Sequence, residues 1–185
     1  MTPNQMKQSL RIASQLLGYP DKHFQRNQRQ MVSEIRHMHH RVITGYLNLF
    51  LYDTSNMEIR ELQDLYVEAF GFGKKTGLYL TRDPSNRKAA LKELMKIYAE
   101  AGWTPNVRPN FLPLLFTFAS KGSLSKGMAV LIRYRFRIMD IMKGLEQINS
   151  PYMFVLLAIM KTIEEGIHQD KPGVVSFLTP YQKRT

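Results

Sequence analysis

The chain reads as an all-α protein, a single-domain helical bundle of about seven to nine helices. Three observations lead there. Apolar residues recur at three- and four-residue spacing along nearly the whole sequence, the sustained alternation of a half-buried strand is missing, and capping residues, prolines and glycines punctuate the periodic stretches. With 185 residues and 44% hydrophobic content there is material for one core, expected over residues 1–168, with 169–185 as a C-terminal tail that is disordered or docks in part through Val175, Phe177 and Leu178. No internal repeat, low-complexity tract or interdomain linker interrupts it.

Met6, Leu10, Ala13 and Leu17 form one stripe of a first helix that opens at Pro3 and stops at Gly18. Asp21 is placed to cap a second, with Phe24, Met31, Ile35 and Met38 on its apolar face, continuing or restarting through Val42, Tyr46, Leu49 and Phe50. Ser55 and Glu58 have capping-box spacing ahead of Ile59, Leu62, Tyr66 and Phe70, and Gly71 to Gly73 end that helix. Asp83-Pro84 opens the next, whose stripe is Leu91, Leu94, Ile97, Tyr98 and Ala101 and whose stop is Gly102. The two prolines of Trp103 to Pro109 make a non-helical connector before a short helix after Asn110. Leu124 to Ile148 reads as one long helix containing Gly127 and Gly144, each weakening it by about 1 kcal/mol relative to alanine. Ser150-Pro151 starts the last helix, through Ile167.

Composition removes several function classes. There is no cysteine, hence no disulfide, thiolate metal site or cysteine nucleophile. The amino terminus lacks the apolar segment of a secretory signal, and the longest apolar run, Tyr152 to Met160, is far short of the roughly 20 residues of a membrane span, so a soluble cytoplasmic protein without stable membrane insertion is expected. The net charge of +11 would attract nucleic acid, an acidic membrane or an acidic partner. Basic residues are nevertheless scattered, and the one cluster, Arg133 to Arg137, reads as a solvated helix face, with phosphate or lipid contact as the alternative.

Catalytic and metal signatures are weak. Gly71 to Thr76 fails as a phosphate loop because Glu68 stands five positions before Gly73 and Lys75 follows Lys74. No serine lies in a nucleophile elbow. Glu34 with His37 and Glu165 with His168 have the Glu-x-x-His spacing of di-iron bundles, to which Glu61, Glu68, Glu93 or Glu100 would add ligands; exposed helix-end histidines are the plainer reading. His37 and His40 lack a third ligand at defined spacing.

Five segments carry a resemblance: LLGYP (Leu16 to Pro20), LYVEAFGFGKKTGLYL (Leu65 to Leu80), DPSNRKAALKELMKIYAEAG (Asp83 to Gly102), RPNFLPLLFTFAS (Arg108 to Ser120) and NSPYMFVLLAIM (Asn149 to Met160). In this order they resemble the nitrate reductase molybdenum cofactor assembly chaperones, the NarJ-type branch of the TorD-like redox-enzyme maturation chaperones. That resemblance implies a TorD-like bundle, a binding protein rather than an enzyme, and no cofactor of its own. It also implies a partner, the N-terminal peptide of the catalytic (alpha) subunit of a respiratory nitrate reductase, and no nucleic acid. A different molybdoenzyme client is the alternative; a monomer is expected, with a dimer as the alternative state. A nucleic-acid-binding helical protein and a di-iron bundle are the rivals from other classes.

Carried onto this sequence, the resemblance nominates Tyr66, Phe70, Lys74, Tyr79, Asn110, Phe111, Leu114 and Phe118 for client-peptide binding. An amphipathic peptide helix is gripped by an apolar groove, and the 11 methionines offer adaptable lining as well as core filling. The family pattern resembles LPDYLPxxLEF, and its two carboxylate positions are Asn110 and Thr117 here. Pairing with basic groups on a peptide would then fall to Glu61, Asp64 and Glu68, near Tyr66.

Overall fold

The computed structural model describes residues 1–71, 74–81 and 84–170. It is all-helical, with nine α-helices and one π-helical turn among the described residues and a single isolated β-bridge between Tyr79 and Phe111. The expected Asp83 cap, Phe72 and Gly73 of the glycine turn, and the tail from residue 171 lie outside the described residues.

Local chemistry sets most helix ends. Thr2 and Gln5 form a reciprocal capping box on α1 (Pro3–Leu16), satisfying two otherwise unpaired backbone donors. The Asp21 carboxylate accepts from the amides of His23 and Phe24, both at 2.9 Å, and starts α2 (Lys22–Arg36). The chain restarts at α3 (Arg41–Thr54), where His40 Nδ1 accepts from the Ile43 amide. Val42, expected on the apolar stripe, faces solvent in this first turn.

Two expected ends are corrected. Ser55 does not begin the fourth helix: its hydroxyl donates back to the Tyr52 carbonyl and closes α3. Glu58 caps α4 (Ile59–Phe70) instead, with Glu61 as its box partner. At the last helix, α9 (Tyr152–Asp170), the Ser150 hydroxyl is buried without a hydrogen-bond partner, and only its carbonyl serves the helix start, accepting from the Met153 amide.

After α5 (Pro84–Ala99) the chain turns at Gly102, whose φ of +66° favours glycine, and reaches α6 (Leu112–Thr117) and the π-helical turn (Phe118–Gly122). The long helix expected over 124–148 is two helices, α7 (Leu124–Arg133) and α8 (Arg135–Gln147). The break falls at Tyr134, where ψ rises to 10° and the Arg135 guanidinium donates to the Ile132 carbonyl. Neither glycine causes it. Both mark close approaches: a Cβ at Gly127 would lie 2.6 Å from Ala119 Cα of the π turn, and one at Gly144 would lie 2.6 Å from Thr76 Cγ2.

Across the break α7 packs on the π turn and on α9, and α8 on α9. Helix α9 is the centre: α1, α3, α7 and α8 all pack on it, and Val155 to Met160 are buried without interruption. A helix apolar on every side belongs inside a core. No helix among the described residues is long and apolar enough to cross a membrane. Helix α1 is pinned to α9 by the buried Ser9–Thr162 hydroxyl pair at 2.7 Å and to α6 by Ser14, whose hydroxyl meets Thr117 at 2.6 Å.

A charged cluster closes one end of α9. Glu164, only 1% exposed, accepts from Lys161 at 2.7 Å; Lys161 also meets Glu165 at 3.1 Å, and Glu165 faces His40 Nε2 at 3.7 Å and the amino group of Met1 at 3.4 Å. Burial works to raise the Glu165 carboxyl, but the hydrogen bonds and charges of Lys161 and the amino group outweigh it and hold it below the usual carboxylate range.

Two predictions follow from this packing. Gly127→Ala should destabilise the domain by about 1–3 kcal/mol in urea denaturation, whereas Gly45→Ala in α3, with nothing within 4 Å of the added methyl, should stabilise it by about 0.5–1 kcal/mol. Because the folded-state pKa of Glu165 is depressed, its stabilisation is complete above the ordinary carboxylate range and disappears as pH falls through the folded value. Glu165→Gln should therefore lower stability at neutral pH and flatten the acid limb of a stability-against-pH curve.

Candidate functional site

The segments singled out in the sequence meet in space. Tyr66 on α4 donates its hydroxyl to the Leu17 carbonyl at 3.3 Å and sets its ring edge-on to Tyr19 at 5.4 Å, while Gln63 donates to the Pro20 carbonyl at 2.9 Å. On the other side Tyr66 and Phe70 pack edge-on against Tyr152 at the head of α9, at 5.8 and 4.9 Å, and Tyr152 stacks in turn on Phe50. Burial pushes the Tyr66 hydroxyl up to about 12 and raises Tyr152 as well, so both rings stay neutral at physiological pH.

A second junction lies where residues 78–80 run beside 110–112. The Leu80 amide donates to the Asn110 carbonyl and the Leu112 amide to the Leu78 carbonyl, at 3.0 and 2.9 Å, placing the Tyr79 and Phe111 rings 5.5 Å apart. Tyr98 of α5 fastens this junction by donating to the Pro109 carbonyl at 2.8 Å and packing on Phe118. Asn110 is buried, with its amide donating to Thr81 Oγ1 at 2.6 Å.

Two hollows adjoin at the Tyr79–Phe111 pair, one ring lining each. The first, about 620 Å³, is bounded by Phe70 and Gly71 at the end of α4, by Lys74, Gly77, Tyr79 and Thr81, by Arg87 and Leu91 of α5, by Arg108 to Asn110 and by Arg137 of α8. The second, about 450 Å³, has Trp103, Thr104, Asn106 and Val107 on one wall and Phe111, Pro113, Leu114 and Thr117 on the other, with Ser14 of α1. Its rim carries Val107, 49% exposed, and Tyr79 at the boundary is 39% exposed. Hollows of this size, with apolar walls and a few polar groups, suit ligand binding.

The nominated residues separate into three groups. Phe70, Lys74, Tyr79 and Asn110 line the first hollow; Phe111 and Leu114 line the second. Tyr66 lines neither and ties α4 to the Leu17 turn. Phe118 is 0% exposed, enclosed by Tyr98 and Trp103, so it supports the floor and offers no surface. Glu61 is engaged with the Glu58 amide as a helix cap, and Asp64 and Glu68 are exposed on α4 outside both hollows.

Sequence reasoning passed over Arg87, Arg108, Trp103 and Val107, which sit in loops or on a polar helix face. Arg137 was legible only as part of a basic run. Arg133 of that run does pair at the surface with Glu93, but the Arg137 guanidinium turns inward to donate to the carbonyls of Lys75, Gly77 and Tyr79 at 3.1–3.2 Å. No group of three metal-ligating side chains occurs among the described residues; Glu34 is engaged with Arg11 and Glu165 with Lys161 and His40.

No protein-family model matches the chain. It is 28% identical over 169 residues, 86% of this chain and 91% of the relative, to the probable nitrate reductase molybdenum cofactor assembly chaperone NarJ of Bacillus subtilis strain 168. It is 26% identical over 168 residues, 86% of this chain and 71% of the relative, to the nitrate reductase molybdenum cofactor assembly chaperone NarJ of Escherichia coli K12. Similarity over most of each chain, on an all-helical bundle, supports a NarJ-type assembly chaperone and not a catalyst.

Proposed function

We propose that the protein is a dedicated cytoplasmic chaperone for the catalytic subunit of a respiratory nitrate reductase. It holds that subunit's N-terminal segment and keeps the apo-enzyme competent for molybdenum cofactor insertion before membrane assembly. The observation that carries this reading is the meeting of three of the five family-like segments, those around Phe70 to Tyr79, Arg87 to Leu91 and Arg108 to Thr117, at two adjoining hollows, with Tyr79 and Phe111 at their boundary. The similar proteins of Bacillus subtilis and Escherichia coli, which are nitrate reductase chaperones, point to the client.

In this reading a short amphipathic helix of the client lays apolar side chains against Phe111, Leu114 and Val107, while Tyr79 offers both a ring face and a hydroxyl. One or two helical turns buried there give binding in the micromolar range, about −8 kcal/mol, suited to a partner that must depart. The chaperone acts on a two-state client, and it biases that client by binding the open, cofactor-accepting form more tightly than the closed one.

Calorimetric titration with the client's first roughly twenty residues, about 30 Å if helical, should give saturable binding, and a scrambled peptide of equal composition should give none. Val107→Asp and Tyr79→Ala, both at exposed positions, should each weaken binding about tenfold or more, about 1.4 kcal/mol, with little change in Tm. Phe118→Ala should instead cost about 3–5 kcal/mol of stability in urea denaturation. Equal binding of native and scrambled peptides would remove the proposal.

A further inference from the structure

The second hollow is uncharged. None of its described lining residues carries a formal charge, and Trp103, Val107, Phe111, Pro113 and Leu114 give it an apolar wall. A charged occupant would lose hydration there without gaining a partner, so the wall selects a segment that is itself apolar and uncharged. This chain has one beyond its last helix. Residues 172–182 include Val174, Val175, Phe177, Leu178 and Tyr181 and no acidic or basic side chain, with Lys171 before them and Lys183 and Arg184 after. Uncharged runs of similar length at 109–120 and 147–160 are mostly buried.

We infer that residues 172–182 of this chain turn back over the second hollow and cover it, with Phe177 as the anchor. The distances allow it. Helices α1 and α9 run antiparallel: Thr162 lies beside Ser9, Glu165 meets the Met1 amino group, and at the other end Tyr66 links the Leu17 turn to Tyr152. At 1.5 Å per residue, Asp170 at the end of α9 and Ser14 on the wall of the hollow are about 20 Å apart along the axes, or about 22 Å with one helix width of offset. Phe177 is seven positions beyond Asp170. At full extension that is a reach of about 23–25 Å.

A second set of contacts agrees. A Cβ at Gly166 of α9 would lie 2.5 Å from Met128 Cε, and the neighbouring Gly127 is seated on Ala119, two residues from Thr117 of the hollow. The size also fits. An apolar cavity of roughly 150 Å³ admits a benzene ring, so about 450 Å³ takes the Phe177 ring together with Val175, which shares its side of an extended chain. Because the segment is tethered, its local concentration is on the order of millimolar, and modest contacts suffice to seat it. A seated tail competes with a client for the same wall. That consequence rests on the client-segment reading, whereas the seating itself does not.

Trp103 is the single tryptophan of the chain and lines the hollow, so its fluorescence reports the cover directly. In the full chain, Phe177→Asp should shift its emission to longer wavelength and increase its quenching by acrylamide, while Thr185→Asp, which adds the same charge beyond the segment, should do neither. No change with Phe177→Asp, or equal changes in the two variants, would overturn the inference. A second measurement leaves Phe177 in place. The chain has no cysteine, so Thr104→Cys on the wall of the hollow with Ser176→Cys in the tail forms a unique pair. Its disulfide should close about tenfold or more faster than that of Tyr52→Cys with Ser176→Cys, Tyr52 being 80% exposed on α3, which packs on another side of α9. Equal rates would show a tail without a seat and overturn the inference. Calorimetric titration with the client peptide separates the two readings: Phe177→Asp should tighten that binding about tenfold by freeing the hollow. A covered Trp103 with client binding unchanged by Phe177→Asp would leave the seated tail standing and remove the client from this hollow.

Discussion

The fold depends on a helix that has no solvent face to spare. From Val155 to Met160 every side chain of α9 is buried, so its apolar perimeter must be covered on all sides, and α1, α3, α7 and α8 do so. The division of the expected long helix into α7 and α8 goes with that demand: α7 packs on both the π turn and α9, and α8 continues along α9 after the break at Tyr134. Within so apolar a centre most polar groups are matched, as in the Ser9–Thr162 and Lys161–Glu164 pairs, while the Ser150 and Tyr152 hydroxyls and Glu164 Oε1 are buried without a hydrogen-bond partner.

Helices α4 and α5 stand outside this arrangement. Neither packs its backbone closely along another helix among the described residues, and both attach through side chains and loops: Tyr66 and Gln63 to the Leu17–Pro20 turn, Tyr98 to Pro109 and Phe118. The two hollows form along these looser attachments. A binding site can adapt there without disturbing the helices packed around α9, in keeping with functional surfaces drawn from the less stable parts of a domain.

The sequence disclosed the helical class, the α1 and α2 stripes, the Asp21 cap and the Gly102 stop because each is a local signal. It misplaced the Ser55 cap because capping-box spacing is also satisfied by Glu58 and Glu61, and it missed the break at Tyr134 because no proline or glycine marks it. At the site, Tyr79, Phe111 and Leu114 were reached through the resemblance. Phe118 was nominated with them because a motif does not distinguish the residue that lines a wall from the one that braces it. Arg87, Arg108 and Arg137 are dispersed in sequence and become neighbours only when the loop at 74–81 folds beneath α8. The basic run around Arg135 concealed opposite fates, Arg133 turning outward to Glu93 and Arg137 inward to three carbonyls.

The wider turn at Phe118–Gly122 has an effect on everything after it. The Ser123 amide reaches back five residues to the Phe118 carbonyl, one residue more than an α-helix uses. Each residue advances an α-helix by about 100°, so this added residue rotates the following chain by that angle relative to an uninterrupted spiral. Thr117 can thus look toward Ser14 while Gly127 slides under Ala119. Deleting one residue from the turn would swing Gly127 off that seat and bring a bulkier neighbour against the same backbone, leaving α7 out of phase with the partner it was shaped to meet.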